Sequence, residues 1–334
     1  MEKLLEKIKE ISNHRKGIPQ FLYLYPIFGD GVLRLRKSII EFKIKNPEVK
    51  ELDFIIQSPG GLADDAYRII RTLRKNFATV NIIVPFWAKS ASTLLSFGGT
   101  KIVMDEFGEF GPLDAQVVKS RDDSPEYDRE SALNDEQSLS MIETRFKVMF
   151  ESMFIRLYES KRISIAKNTL SEQLLSNISK FYEPLLEQID PYKLGEKRRT
   201  LDIGTQYARR VLTQYHPSLE SHKVRELVEF LINGCPDHGY IIDYDLLSKF
   251  IDFVETSEKF GGLEYASTLR DISMILTDME EPGEFVGFVD ENQESNHLDN
   301  GVATLNEDII PDLSNKEVQI ALTNELDSNE QFGN

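Results

Sequence analysis

Residues 56–62 read IQSPGGL, and residues 87–99 read WAKSASTLLSFGG. The first stretch closes an apolar run, Leu52 to Gln57 (LDFIIQ), of the kind that fills a strand buried on both faces. Ser58-Pro59 stiffens the strand exit, and Gly60-Gly61 permits backbone conformations and close approaches that any side chain would forbid. Bare N–H groups at the C-terminal end of a strand suit a developing oxyanion, and open α/β sheets place their ligands at that edge. An ordinary turn accounts for the same four residues. In the second stretch Ser90 opens a helix of small and apolar residues. Serine is a favoured N-cap; it is also a nucleophile whose neighbouring N–H groups, near the positive helix end, hold negative charge. Taken one residue at a time, the two readings balance.

Outward from these stretches, strands and helices alternate. Phe21 to Ile27 (FLYLYPI) is an apolar run, followed by a turn at Gly29-Asp30-Gly31 and helical spacing over Val32 to Lys45. Ala63 to Lys75 places Ala66, Ile69, Ile70 and Leu73 on one helical face. Thr79 to Pro85 (TVNIIVP) and Lys101 to Met104 (KIVM) are further strands flanking the Ser90 helix. This pattern predicts an α/β fold: a mainly parallel sheet covered on both faces, with right-handed crossovers. Past residue 125 the spacing predicts long helices at 140–161, 170–188, 202–215, 219–233 and 262–278, with no internal repeat. The expected organisation is an α/β core over 1–125, a helical region over 126–280 completing the catalytic domain, and an acidic, flexible tail over 281–334.

Charge supports that last boundary. Of the net charge of −17, the stretch 281–334 supplies −12, from thirteen acidic residues against Lys316 alone, leaving −5 for the first 280 residues. Rich in Asn, Asp, Glu and Ser, the tail reads as solvated, although EVQIALTNEL (317–326) is apolar enough to fold on a partner. The acidity argues against nucleic-acid binding, and KRR at 197–199 is too short to overturn that. One cysteine, Cys235, excludes an intrachain disulfide framework and a multi-cysteine zinc site, and reads as a filler thiol. No run approaches the roughly 20 apolar residues of a membrane span. The N-terminal MEKLLEKIKEISNHRKGI reads as an amphipathic helix rather than a signal peptide, so a cytoplasmic location is expected. Neither GxxxxGK[ST] nor HExxH occurs, so neither ATP-driven unfolding by this chain nor a compact metal site is expected.

Taken together, Ser58-Pro59-Gly60-Gly61, Ser90-Ala91-Ser92-Thr93, Ile102-Val103-Met104-Asp105 and Gly111-Pro112-Leu113-Asp114 resemble the Clp protease and crotonase superfamily. They are most similar to the serine dehydrogenase proteinase family, distant kin of Clp peptidases and of signal peptide peptidase A. The resemblance covers roughly 50–118, with Ser92 standing where glycine is usual. Beyond it, Pro236-Asp237-His238-Gly239-Tyr240 matches the His-x-Tyr setting in which the family places a histidine.

The resemblance implies a Clp/crotonase-like layered sheet with a helical C-terminal half, and a serine peptidase. Ser90 is then the nucleophile, His238 the base and Asp114 the orienting acid, with the N–H groups of Gly61 and Ala91 holding the oxyanion. Neither metal nor cofactor is implied. Asp237 and Asp243 compete with Asp114, although either suits a helix cap. Lys89 raises a Ser-Lys dyad, weakened because adjacent helical side chains point apart. His14, His216, His222 and His297 lie in polar or tail contexts. Ser92→Ala is expected to matter far less than Ser90→Ala. The implied partners are peptide or protein substrates, further copies of the chain, and a separate protein engaged by the acidic tail. A crotonase-fold acyl-thioester enzyme, or an inactive scaffold, is the alternative, and neither needs a nucleophilic serine.

Overall fold

The computed structural model describes residues 1–289 except 114–115, 120–127, 161–163, 238 and 280–283. The chain runs α1 (Glu2–His14), β1 (Gln20–Leu24), α2 (Gly29–Lys45), β2 (Glu51–Gln57), α3 (Ala63–Asn76), β3 (Thr79–Val84), β4 (Trp87–Ala88), α4 (Ala91–Ser96), β5 (Lys101–Met104) and β6 (Glu109–Phe110). A hairpin of β7 (Gln116–Lys119) and β8 (Asp128–Ser131) follows, then α5 (Ala132–Tyr158), α6 (Lys167–Leu186), α7 (Pro191–Tyr215) and α8 (Ser221–Glu229). A π-helical turn (Phe230–Gly234) leads to α9 (Tyr244–Leu247), β9 (Val254–Thr256), α10 (Ser257–Thr277) and β10 (Phe285–Phe288).

The main sheet has the order β10-β1-β2-β3-β5-β9. Only β10 runs antiparallel to its neighbour; the other pairs are parallel. The fold is thus α/β with a mostly parallel sheet and flanking helices. Continuous apolar strands leave nothing for water, and the alternation of side chains sends successive residues to opposite layers. Phe21, Tyr23, Phe54, Ile56, Ile82, Val84, Ile102 and Met104 pack into the layer completed by α2, α3, α4, α7 and α8. Leu22, Leu24, Ile55, Ile83 and Val103 face α1 and α10, through Leu4, Ile8, Ile11, Tyr265, Leu269 and Ile272. The amphipathic N-terminal segment is therefore a sheet-covering helix.

At the N-terminal ends of the strands the core is polar. Asp53, fully buried, accepts hydrogen bonds from Arg15 Nε (2.8 Å), Gln20 Nε2 (2.9 Å) and Asn81 Nδ2 (2.8 Å). Arg15 also reaches Glu51 at 2.8 Å and stacks on Phe260 at 4.2 Å. A buried carboxylate is tolerated only with such multiple partners.

Helix positions differ from the periodicity mainly at their starts. Helix α7 begins at Pro191 rather than near 202, because Asp190 caps it by accepting from the N–H groups of Tyr192 and Lys193, with proline in the first turn. The segment α10 begins at Ser257, capped by Thr256, but breaks at Gly262 (φ 85°, ψ 180°), where the helix expected from the spacing starts. Six short strands were not read from the sequence: β4, β6, β7, β8, and the two that complete the main sheet, β9 and β10. β9 spans three residues, too few for an alternation signal. β10 lies inside the stretch that charge assigns to the tail: Phe285–Phe288 adds to the edge of β1, Val289 N–H donates to Gln20 O (2.9 Å), and Phe288 stacks on Phe42 at 4.0 Å and edge-on to Phe21 at 5.0 Å. Residues 290–334 lie outside the described residues.

Because Phe288 fills the sheet's outer layer, Phe288→Ala should lower unfolding free energy by about 3 kcal/mol. A chain ending at 292 should unfold at the same denaturant concentration as the full chain, whereas one ending at 281 should unfold markedly earlier. Equal midpoints for the two truncations would show that β10 contributes nothing.

Candidate active site

The C-terminal ends of β1, β2 and β4 meet at the SPGG loop. Ser58 pairs with β4, its N–H donating to Trp87 O (3.4 Å) and its carbonyl accepting from Lys89 N–H (3.0 Å). Two residues on, the chain turns to the opposite neighbour: Ile27 N–H donates to Gly60 O (2.8 Å), and Leu62 N–H to Ile27 O (2.9 Å). Gly61 is the residue between those two bonds, so its own N–H faces away from Ile27. The N–H of Gly60 is taken by Ser58 Oγ at 3.2 Å. Both glycines hold positive φ, 98° and 152°. A Cβ on Gly60 would lie 2.6 Å from Lys89 O, 2.8 Å from Ser90 Cβ and 3.0 Å from Ala91 N, and one on Gly61 would collide with the Ile27 backbone. The loop is glycine because it is pressed between two backbones, one of which carries Ser90.

Ser90 stands at φ 51°, ψ −117°; among the described residues, Lys16 is the other non-glycine with positive φ. Such a conformation costs about 1–3 kcal/mol and persists only where the surroundings enforce it. Ser90 precedes α4, yet its side chain makes no capping hydrogen bond. The half-buried hydroxyl is therefore placed by a sharp strand-to-helix elbow rather than spent on helix termination. Ala91 supplies the first N–H of α4, beside Gly60.

A third segment joins this junction. Thr93 Oγ1, on α4, lies 2.9 Å from Gly111 O and 3.0 Å from Ala88 O, its single proton shared between the two carbonyls, and Phe110 exchanges backbone bonds with Ile242 (2.9 and 3.1 Å). Leu113 N–H donates to Leu231 O at 2.8 Å. Residues 110–113, which lead to Asp114, are thereby laced to the two positions, 231 and 242, that bracket the PDHGY stretch. Asp114 and His238 themselves lie outside the described residues, so the structure brings together Ser90, Ala91 and Gly61, together with the chain flanking the other two.

The alternatives named from sequence are placed as follows. Lys89 Nζ is paired with Glu109 at 2.5 Å and points at Phe110 O (3.4 Å). Asp243 caps α9, its Oδ1 accepting from Leu246 N–H at 2.9 Å. Asp237 is exposed, with its carbonyl accepting from Tyr240 N–H (3.3 Å). Asp105, ending the IVMD motif, is buried against Ser257, whose hydroxyl donates at 3.1 Å; burial pushes its carboxyl up. His216, placed by sequence in a polar context, is buried instead: its ring stacks on Phe253 at 3.5 Å with Nε2 at 2.9 Å from Phe97 O. His14 and His222 sit beside glutamates at the surface, and His297 lies outside the described residues. Among the described residues, no group of three or more His, Cys, Asp or Glu side chains is placed to hold a metal.

Sequence reasoning missed the side chains that hold this site. Ser92 and Thr93 are fully buried, and each hydroxyl faces two carbonyls. Their small, polar character within an apolar helix was the available signal.

Residues 16–157 match the family of ClpP-like SDH-type serine proteinases, a segment that carries SPGG, the Ser90 elbow and GPLD. Among curated proteins, the chain is 34% identical over 129 residues to the uncharacterized protein MJ0137 of Methanocaldococcus jannaschii, covering 34% of this chain and 43% of the relative. It is 31% identical over 104 residues to the uncharacterized protein MJ1495 of the same organism, covering 31% of this chain and 35% of the relative. The chain thus spans less than half the length of these relatives. Among solved structures, the 1510-N membrane-bound stomatin-specific protease is similar at 14% identity with a TM-score of 0.39, covering 77% of this chain and 81% of that one. ClpP1 of Listeria monocytogenes is similar at 14% identity with a TM-score of 0.26, covering 31% and 58%.

Two predictions follow from the packing. Gly60→Ala, forced to place a methyl against rigid backbone at positive φ, should destabilise the fold by at least about 2 kcal/mol, measured by denaturant unfolding. His216 gives a pH signature. Desolvation holds its ring below the ordinary value of 6.5, so the folded chain binds fewer protons than the unfolded one as pH falls below 6.5. Stability should be full above 6.5 and decline below it, and His216→Gln should flatten that decline. An unchanged pH profile in the variant would show that His216 titrates freely.

Proposed function

We propose that the protein is a serine peptidase in which Ser90 attacks the peptide carbonyl. The observation that carries the proposal is the strained Ser90 elbow, uncapped and pressed against a loop whose Gly61 N–H is turned away from its strand partner. Family membership of the matched segment supports the same reaction class. His238 takes the Ser90 proton and returns it to the leaving amine, then activates the water that releases the acyl group. Asp114 orients and stabilises the imidazolium. The capping bond at Asp243 Oδ1 and the pairing of the Lys89 ammonium with Glu109 support this choice over those two side chains. The Gly61 and Ala91 N–H groups hold the oxyanion, where one such donor is worth roughly 3 kcal/mol of transition-state stabilisation.

The proposal extends to assembly. Helices α5 and α6 leave Met141, Val148, Met153, Ile155, Phe181 and Leu185 exposed, more apolar surface than a lone helical pair in water normally carries. Further copies of the chain are the proposed cover. Sedimentation at micromolar concentration should report a multimer, and a clean monomer would refute this part. No helix among the described residues is long and apolar enough to cross a membrane; a cytoplasmic location, a peptide or protein substrate and a partner for the acidic tail complete the proposal.

Covalent labelling with a fluorophosphonate, read by intact mass, tests the chemistry. The wild type should take up one equivalent, and Ser90→Ala none. Ser90→Ala and His238→Ala should each remove at least about a thousandfold of turnover, and the double variant little more, because the groups act as a unit. Asp114→Asn should be severe but milder. Equal labelling of Ser90→Ala would remove Ser90 from the mechanism and favour an acyl-thioester enzyme or scaffold on this fold.

A further inference from the structure

Resting on the peptidase reading, we infer that the hydroxyls of Ser92 and Thr93 are positioning groups that fix the Ser90 elbow between the glycine loop and the segment leading to Asp114. Ser92 Oγ lies 2.9 Å from both Ser58 O and Lys89 O. Ser58 O also accepts the Lys89 N–H at 3.0 Å, so a single carbonyl on the SPGG strand is gripped from the residue before the nucleophile and from the second residue after it. Ser90 and Ala91 sit between those two grips. Thr93 Oγ1 performs the matching task on the other side, joining Ala88 O to Gly111 O at 3.0 and 2.9 Å. One clamp sets the distance from Ser90 to the Gly61 and Ala91 N–H groups; the other sets the distance from Ser90 to residues 111–113.

Neither hydroxyl has a further task in view. Both side chains are fully buried, so neither can meet substrate. Neither caps a helix, since each donates to carbonyls lying outside α4. When Ser92 loses its hydroxyl, Ser58 O keeps the Lys89 N–H and Lys89 O keeps the Ser92 N–H at 3.0 Å. No carbonyl is orphaned, and the fold should survive with the elbow loosened. Ser92→Ala is still expected to matter far less than Ser90→Ala, and the elbow gives its smaller effect a cause. Where glycine would leave the elbow to the backbone alone, this chain adds a side-chain strut.

The test uses the full chain and four proteins: wild type, Ser92→Ala, Thr93→Val and Thr93→Ser. The rate of fluorophosphonate labelling at Ser90 and kcat should fall by about 10- to 100-fold in Ser92→Ala and Thr93→Val, as expected for small misplacements of reacting groups. KM should change by less than about threefold, since no substrate contact is lost. The pH–rate profile should keep its wild-type midpoints, because neither hydroxyl titrates. Thr93→Ser, which keeps the donor, should recover most of the rate. Amide hydrogen exchange across 58–61 should speed up in Ser92→Ala. Labelling within about twofold of wild type in both hydroxyl-deleted variants would overturn the inference while leaving the peptidase reading intact. Loss of folding in both would assign the hydroxyls to stability and equally overturn it. A wild type that takes up no label would overturn the peptidase reading and this role together.

Discussion

The crowding at Gly60-Gly61 is the constraint from which the site follows. One glycine is pressed against Ser90 and the other against Ile27, with no room for a Cβ on either side. Three backbones therefore converge at the carboxyl end of the sheet: the exit of β1, the exit of β2 and the elbow after β4. Convergence this close leaves N–H groups that cannot all pair along the strands, and it imposes on Ser90 a φ that a relaxed serine avoids. Strain in the Ser90 elbow and the open Gly61 N–H in the glycine loop are two consequences of one packing decision.

The rest of the sheet supports that decision by differing at its two ends. Toward the N-terminal ends, Arg15, Gln20, Asp53 and Asn81 close a buried polar network in which the Asp53 carboxylate is satisfied from three sides. Removing Arg15 would leave the buried Asp53 carboxylate without its countercharge, which costs far more than the network returns in net stability. Between the ends, residues alternate into two apolar layers and hold the strands in register. Rigidity below and on both faces means that adjustments at the carboxyl edge are confined to loops and to the short helix α4.

Much of this was legible in sequence because it is local. Four parallel strands announce themselves as apolar runs, and α3 by its single apolar face. SPGG and the Ser90 stretch are legible as a pair, since a strand ending in two glycines and a serine opening a small-residue helix make physical sense together. What escaped is non-local or short. Three residues of β9 carry no periodicity. β10 is four residues set in acidic surroundings, where charge averaging hides Phe285, Val286 and Phe288. His216 was misjudged because its neighbours in sequence are polar while its neighbours in space are Phe253 and the Phe97 carbonyl. The setting of Ser92 escaped for the opposite reason: beside a stronger candidate, a second serine reads as redundant until its acceptors are known.

The same distinction bears on the chain around Ser90. The segments that flank position 238 are far from Ser90 in sequence, and no local rule ties them to it. The structure links them through a series of hydrogen bonds: the Thr93 hydroxyl to Gly111 O, and the backbone bonds of Phe110 with Ile242 and of Leu113 with Leu231. Each bond belongs to a loop or a short pairing rather than to a long strand, so each must be enforced by packing around it. A π-helical turn at Phe230–Gly234 follows α8. Leu231 lies within it, among the last four carbonyls of the helical run, which have no partner further along the helix. Its carbonyl accepts the Leu113 N–H at 2.8 Å instead. That bond joins the end of the helical run to the segment leading to Asp114, and so ties the helical half of the chain to the elbow that the sheet has built.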